Sequence, residues 1–226
     1  MASLFQHYPE RPANRLCDSA YLILCNAHDA SSSFLDIFQT TREARRARGT
    51  PTDEEQDLLR AMLAFAGAGL DSMVKQLIAD ALPSVVDAQK GAAESFSSFV
   101  EKRLNRGGEL DHKLISEVLC DSSPRKRLVG ELTRELTSGS LQSTDALLRA
   151  GSFFDIPSRN LCQDPQALTE VFRARNQMIH EMDVDFGQTN RNRRPRRKQA
   201  MVDSTNRIFS VGRNFLVEVA ARLPAA

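Results

Sequence analysis

The chain has 226 residues, 41% of them hydrophobic and 26% charged, a composition that excludes disordered and fibrous classes. It is long enough for one substantial core and nothing in it forces a split, so residues 1–226 are expected to form a single helical domain. The net charge is +1, the start MASLFQHYPERP has no basic region leading into an apolar stretch, and no run is long enough to span a bilayer; the expectation is a cytoplasmic protein without a membrane partner.

Leu16 to Phe38 reads as a first long helix carrying Tyr21, Leu24, Ala27 or His28, Phe34 and Phe38, with the serine run at 31–33 as its weakest stretch. Asp53 to Leu82 reads as the central helix. Its apolar residues Leu59, Leu63, Ala66, Leu70, Met73, Leu77 and Ala81 recur at spacings of three and four, which draws one stripe along a helix. The entry TPTDEE offers a capping Thr or Asp with acids in the first turn, and Pro83 is read as the stop.

Further helices are expected at Ala88 to Leu104, ended by Arg106-Gly107-Gly108; at Leu110 to Leu119, ended by Asp121-Ser122-Ser123-Pro124; at Pro124 to Leu136; and at Thr144 to Phe154. Asp164-Pro165 opens the next one, which contains RARNQMIHEM at 173–182, and a last helix runs from about Gln199 to Leu223. Alternating β-branched segments and Asn-Gly or Asp-Gly hairpin signals are missing. The fold class expected is all-α, an antiparallel helical bundle.

Four cysteines, Cys17, Cys25, Cys120 and Cys162, form no CxxC pair and have no histidine at zinc-finger spacing, so neither a metal site nor a cysteine nucleophile is expected. Charge is distributed unevenly. The run GQTNRNRRPRRK at 187–198 holds Arg191, Arg193, Arg194, Arg196, Arg197 and Lys198 and no acid; these six cations leave about −5 for the rest of a chain of net +1. A basic segment on an acidic body suits a polyanion, and a solvated loop with no partner is the plainer alternative.

On a helical wheel centred on Arg175, the residues Leu168, Val171, Phe172, Met178, Ile179 and Met182 fall within about 60°. Arg175 therefore stands in the middle of the apolar stripe. Asn176 and His180 lie about 100° and 140° away and one turn apart, on the same edge as Arg173. A guanidinium keeps its charge, so a buried one requires compensation, and Asp71 on the central helix is a candidate structural partner.

Arg175-Asn176, three residues, then His180 resembles the motif of the HEPN superfamily, in which an Arg, usually followed by Asn, Asp or His, precedes a His by four to six residues. The stretch DEEQDLLRAMLAFAGAGLDSMVKQLIADALP looks like the long second helix of such domains, and the resemblance covers roughly residues 15 to 223. It implies a helical homodimer that cleaves RNA without a metal or other cofactor. Two facing motifs would promote attack of the ribose 2′-hydroxyl on the adjacent phosphate, leaving cyclic phosphate and 5′-hydroxyl ends.

The residue types suit that chemistry. An imidazole can serve as general base or general acid, a guanidinium can brace phosphorane oxygens, and an asparagine can orient the histidine or bind phosphate. Arg175, Asn176 and His180 are therefore the expected catalytic residues, and the basic run beside them, Arg191 to Lys198, the expected RNA contact. The implied role is a toxin or antiviral defence effector. Many HEPN domains instead bind nucleotides or proteins without cutting, within toxin and antitoxin complexes. In some, a nucleotidyltransferase modifies a tyrosine two residues after the histidine; here that position is Met182, which leaves a different antitoxin or regulatory partner open.

Overall fold

In the computed structural model, Leu4, residues 10–106 and residues 109–224 are described. A 3-10 turn, Arg15–Cys17, leads into α1 (Asp18–Ala44), which is followed by α2 (Asp53–Asp80), α3 (Leu82–Ala88) and α4 (Lys90–Leu104). A small antiparallel hairpin, β1 (Asn105–Arg106) and β2 (Glu109–Leu110), precedes α5 (His112–Leu119), α6 (Pro124–Thr137) and α7 (Thr144–Phe153). Then come α8 (Ser158–Leu161), α9 (Pro165–His180) and α10 (Lys198–Ala220). The fold is all-α.

α2 is the central helix, packed most extensively on α1 and α10 and also against α9 and α6. All seven residues of its expected stripe are buried. Its start is a capping box: the Thr52 side chain accepts from Glu55 N–H while the Glu55 carboxylate accepts from Thr52 N–H, which satisfies donors that the first helical turn leaves free. The Glu55 carboxylate is itself buried, against Arg42 at 2.6 Å and Arg45 at 3.3 Å. One apolar cluster draws on α1 to α4, α6 to α10 and the segments between them, and Leu114 and Val118 of α5 are buried outside it.

α1 and α2 approach closely because small residues face each other. Ser31 lies against α2 and donates to the Met62 carbonyl, while Ser33 donates to Asp29 O within α1, so the serine run sits inside the helix with the Ser31 and Ser33 hydroxyls satisfied. A Cβ built on Gly69 would overlap that of Ala27. Alanine at position 69 gains about 1 kcal/mol of helix propensity, but overpacking against a rigid methyl group costs typically 1–3 kcal/mol. Gly69→Ala is expected to lower stability by urea unfolding. A rise would mean that α1 and α2 can part without cost.

Several boundaries differ from the expectation. α1 continues past Phe38 to Ala44, and α2 stops at Asp80 instead of running to Leu82. Pro83 begins a helix instead of ending one: it occupies the first turn of α3, where a missing N–H costs nothing. The hairpin is an element that the periodicity did not reveal, because two-residue strands carry no alternation. Gly107 and Gly108 of the expected stop lie outside the described residues. Among the described residues no helix is long and apolar enough to cross a membrane.

Candidate functional site

α9 begins where expected. Asp164 accepts from Ala167 N–H at 2.9 Å, Pro165 fills the first turn, and the helix runs without interruption to His180. The chain then turns sharply through Met182 and Asp183, both in the left-handed region at φ 49° and 61°. Two amides, those of Glu181 and Asp183, donate to the Gln177 carbonyl and close the helix end. Since α9 keeps its helical form throughout, Arg175 and His180 stay on different faces.

Arg175 faces α2. Its side chain lies across Gly67, where a built Cβ would stand 3.5 Å from Cγ and 3.6 Å from Nε. The Nε is buried without a hydrogen-bond partner, and Nη1 donates to Asn176 Oδ1 at 3.2 Å. Burial pushes the guanidinium pKa down, opposed by the charge of Asp71. Asp71 is nevertheless not its ion-pair partner. That carboxylate engages Lys75 at 2.8 Å and the backbone N–H of Leu141 at 2.6 Å, and among the described residues no acid pairs with Arg175.

Asn176 and His180 are exposed and line one open groove of about 540 Å³. Arg173, Gln177 and Glu181 of α9 share it, and the opposite wall is Gln142, Ser143 and Thr144 at the start of α7. A hydrogen bond of 2.8 Å between the hydroxyls of Thr144 and Thr169 ties that wall to α9. The Gln142 Oε1 atom is buried and has no partner. Asn176 and His180 thus meet in the groove, and Arg175 joins them only through its bond to Asn176.

The basic run forms a strap over the beginning of α2, pinned at successive points. Val184 and Arg193 form an antiparallel bridge, and Asp185 N–H donates to Asn192 O at 2.9 Å. Arg193 grips the Asp57 carboxylate with two nitrogens, at 3.0 and 2.5 Å. Arg194 pairs with Glu181 at 3.0 Å and bonds to the Val184 carbonyl. Arg196 pairs with Asp183 and donates its N–H to Gln56 Oε1 at 2.6 Å.

Asp183 is the hub of this strap. It is fully buried, between Arg60 Nε at 2.8 Å and Arg196 Nε at 2.8 Å, with Arg196 Nη2 on its second oxygen. Burial raises its pKa, but the hydrogen bonds from Arg196 and Arg60 outweigh that and hold it below the usual Asp value. Arg60 also donates to Asp57 and to the Arg194 carbonyl.

Half of the six cations expected to contact RNA are thus engaged within the chain. Arg193, Arg194 and Arg196 are committed to acids of the same chain, because the run crosses a surface bearing Asp57, Glu181 and Asp183. Arg191 and Arg197 are exposed and form no ion pair among the described residues, and Lys198 lies 6.0 Å from the centre of the Phe38 ring. The clamp formed by Arg60 and Asp183 was not foreseen. A signal was present: Arg60 sits beside the Leu59 and Leu63 positions of the central stripe and calls for a buried acid just as Arg175 does.

Among the described residues no three His, Cys, Asp or Glu side chains converge as a metal site. Comparison with protein-family models, with characterised proteins and with solved structures returns no match to this chain.

Proposed function

We propose that the chain is a metal-independent endoribonuclease of the HEPN kind, acting as a homodimer. The observation that carries this reading is Arg175: a half-buried guanidinium without an acidic partner among the described residues, hydrogen-bonded to Asn176 beside a groove that also holds His180. An uncompensated cation is costly as a structural element and useful as a phosphate ligand.

In this reading the ribose 2′-oxygen attacks the adjacent phosphorus, the bond from phosphorus to the 5′-oxygen breaks, and a 2′,3′-cyclic phosphate and a 5′-hydroxyl result. His180 of one protomer takes the 2′-hydroxyl proton, and the same residue of the other gives a proton to the departing oxygen. Arg175 stabilises the phosphorane oxygens, and Asn176 holds the arginine toward the groove. Exposed Ile179, Met182 and Phe186 beside the motif are apolar surface that a second protomer would cover. A role as a toxin or antiviral effector follows only from the resemblance.

The test is incubation of labelled total RNA and tRNA in EDTA with wild type and with His180→Ala, followed by end-group analysis. Wild type is expected to leave cyclic phosphate and 5′-hydroxyl ends, and the variant to slow cleavage by about 10²–10⁴-fold, the range for a positioned acid or base. Equal cleavage by both would remove His180 from the chemistry. Absence of cleavage by an intact dimer would favour the alternative, a non-catalytic RNA-binding or protein-interaction module held in a toxin and antitoxin complex.

A further inference from the structure

A second basic segment lies outside the Arg191 to Lys198 run. α1 ends in the sequence TREARRARG, with Arg42, Arg45, Arg46 and Arg48 within seven residues. Arg42 is used internally: it pairs with Glu55 and donates to Gly49 O at 2.8 Å, which folds the turn back on the helix end. Arg45 touches Glu55 yet remains exposed. Arg46, at φ 47°, and Arg48 are exposed and form no ion pair among the described residues.

The last turn of α1 and the end of the strap approach one aromatic ring. The Arg42 guanidinium carbon is 5.9 Å from the centre of Phe38, and Lys198 Nζ is 6.0 Å from the same point. Because Arg42 also holds the turn through the Gly49 carbonyl, the turn that carries Arg45, Arg46 and Arg48 and the start of α10 that carries Lys198 share one neighbourhood, although about 150 residues separate the two segments. The acids Glu43, Asp53, Glu54 and Glu55 share the neighbourhood, and Glu55 is already paired with Arg42 and Arg45. Five cations outnumber them, and Asp53 and Glu54 lie in the first turn of α2, beside its positive end.

We propose that Arg45, Arg46, Arg48, Arg197 and Lys198 form one composite face that binds the phosphate backbone of an RNA strand. The proposal rests on the ribonuclease reading for its choice of nucleic acid. Guanidinium forks match phosphate oxygens, and the Phe38 ring is buried beneath Arg42 and Lys198, so among the described residues the face offers its cations to the backbone and no exposed Phe38 ring on which bases could stack. The strap leads from the His180 end of α9 across the first turns of α2 to this face, which places it on a continuous path from the groove.

The experiment measures binding of a fluorescent 2′-O-methyl RNA oligonucleotide, which lacks the attacking hydroxyl, by anisotropy over a salt series. Compared are wild type, Arg46→Glu with Arg48→Glu, Arg197→Glu with Lys198→Gln, and a control, Lys90→Glu with Lys102→Glu on α4, a helix packed on α3, α6 and α7; circular dichroism checks each fold. Each of the first two pairs is expected to weaken binding roughly tenfold and to flatten the logarithmic salt dependence by about 0.7 for each phosphate no longer neutralised. An unchanged Arg46/Arg48 variant would overturn the composite face while leaving RNA binding by the strap intact, and equal weakening by the α4 control would reduce the effect to net charge. If wild type does not bind the oligonucleotide, the face is wrong; the separate cleavage assay on ordinary RNA then decides whether the ribonuclease reading falls as well.

Discussion

Replacing Arg175 by methionine is expected to lower RNA cleavage by about 10²–10³-fold, the cost of losing one oxyanion donor, and to leave the protein as stable as before or more so. The two effects together separate a functional arginine from a structural one. A structural arginine would hold an acid, and its removal would strand that partner; among the described residues Arg175 has none, because Asp71 is taken by Lys75 and Leu141. What it has is a buried Nε without an acceptor, and an unsatisfied buried donor costs about 1–3 kcal/mol. Methionine keeps an unbranched chain across Gly67 and carries no such donor. Urea unfolding beside the cleavage assay is the measurement, and a drop in stability with cleavage unaltered would make Arg175 a packing residue.

Asp183→Ala is expected to show the opposite pattern, a loss of about 3–5 kcal/mol, because the buried Arg60 and the partly buried Arg196 lose the carboxylate between them. That is a large part of the roughly 5–15 kcal/mol by which a domain is stable. The strap would come loose with it, and so would the end of α9, since the Asp183 N–H and the Arg196 guanidinium both bond to Gln177, three residues before His180. The pH dependence has a definite sign. With its folded pKa held below the unfolded value of about 3.9, Asp183 contributes its full stabilisation above that value and loses it as pH falls through the folded one. Wild type should therefore lose stability below about pH 4, and the alanine variant should lose correspondingly less over the same interval. A change under about 1 kcal/mol at neutral pH would show that water replaces the carboxylate without cost.

The elements differ in how legible they are. The start of α2 can be read from TPTDEE, and that of α9 from Asp164-Pro165, because a cap is made by residues three apart in the chain. The stripe of α2 is equally plain, since burial on one face imposes its own period on the sequence. Pro83 misleads as a stop because proline is compatible with both the end of one helix and the first turn of the next.

For the candidate site, the sequence by itself determined the helical spacing that turns Arg175 toward the core and puts Asn176 and His180 together on another face, while the structure decided that the helix runs unbroken to His180. Only the tertiary structure decided what surrounds them. The α7 wall of the groove, the pairing of Arg193 with Asp57 and the clamp of Arg60 on Asp183 join residues far apart in sequence, and the last two pairs are separated by 136 and 123 positions. Helical spacing follows from bonds between near neighbours and repeats every turn. An ion pair between distant segments leaves no period, so a run of six cations reads the same whether its arginines face solvent or, as three do here, the acids of their own chain.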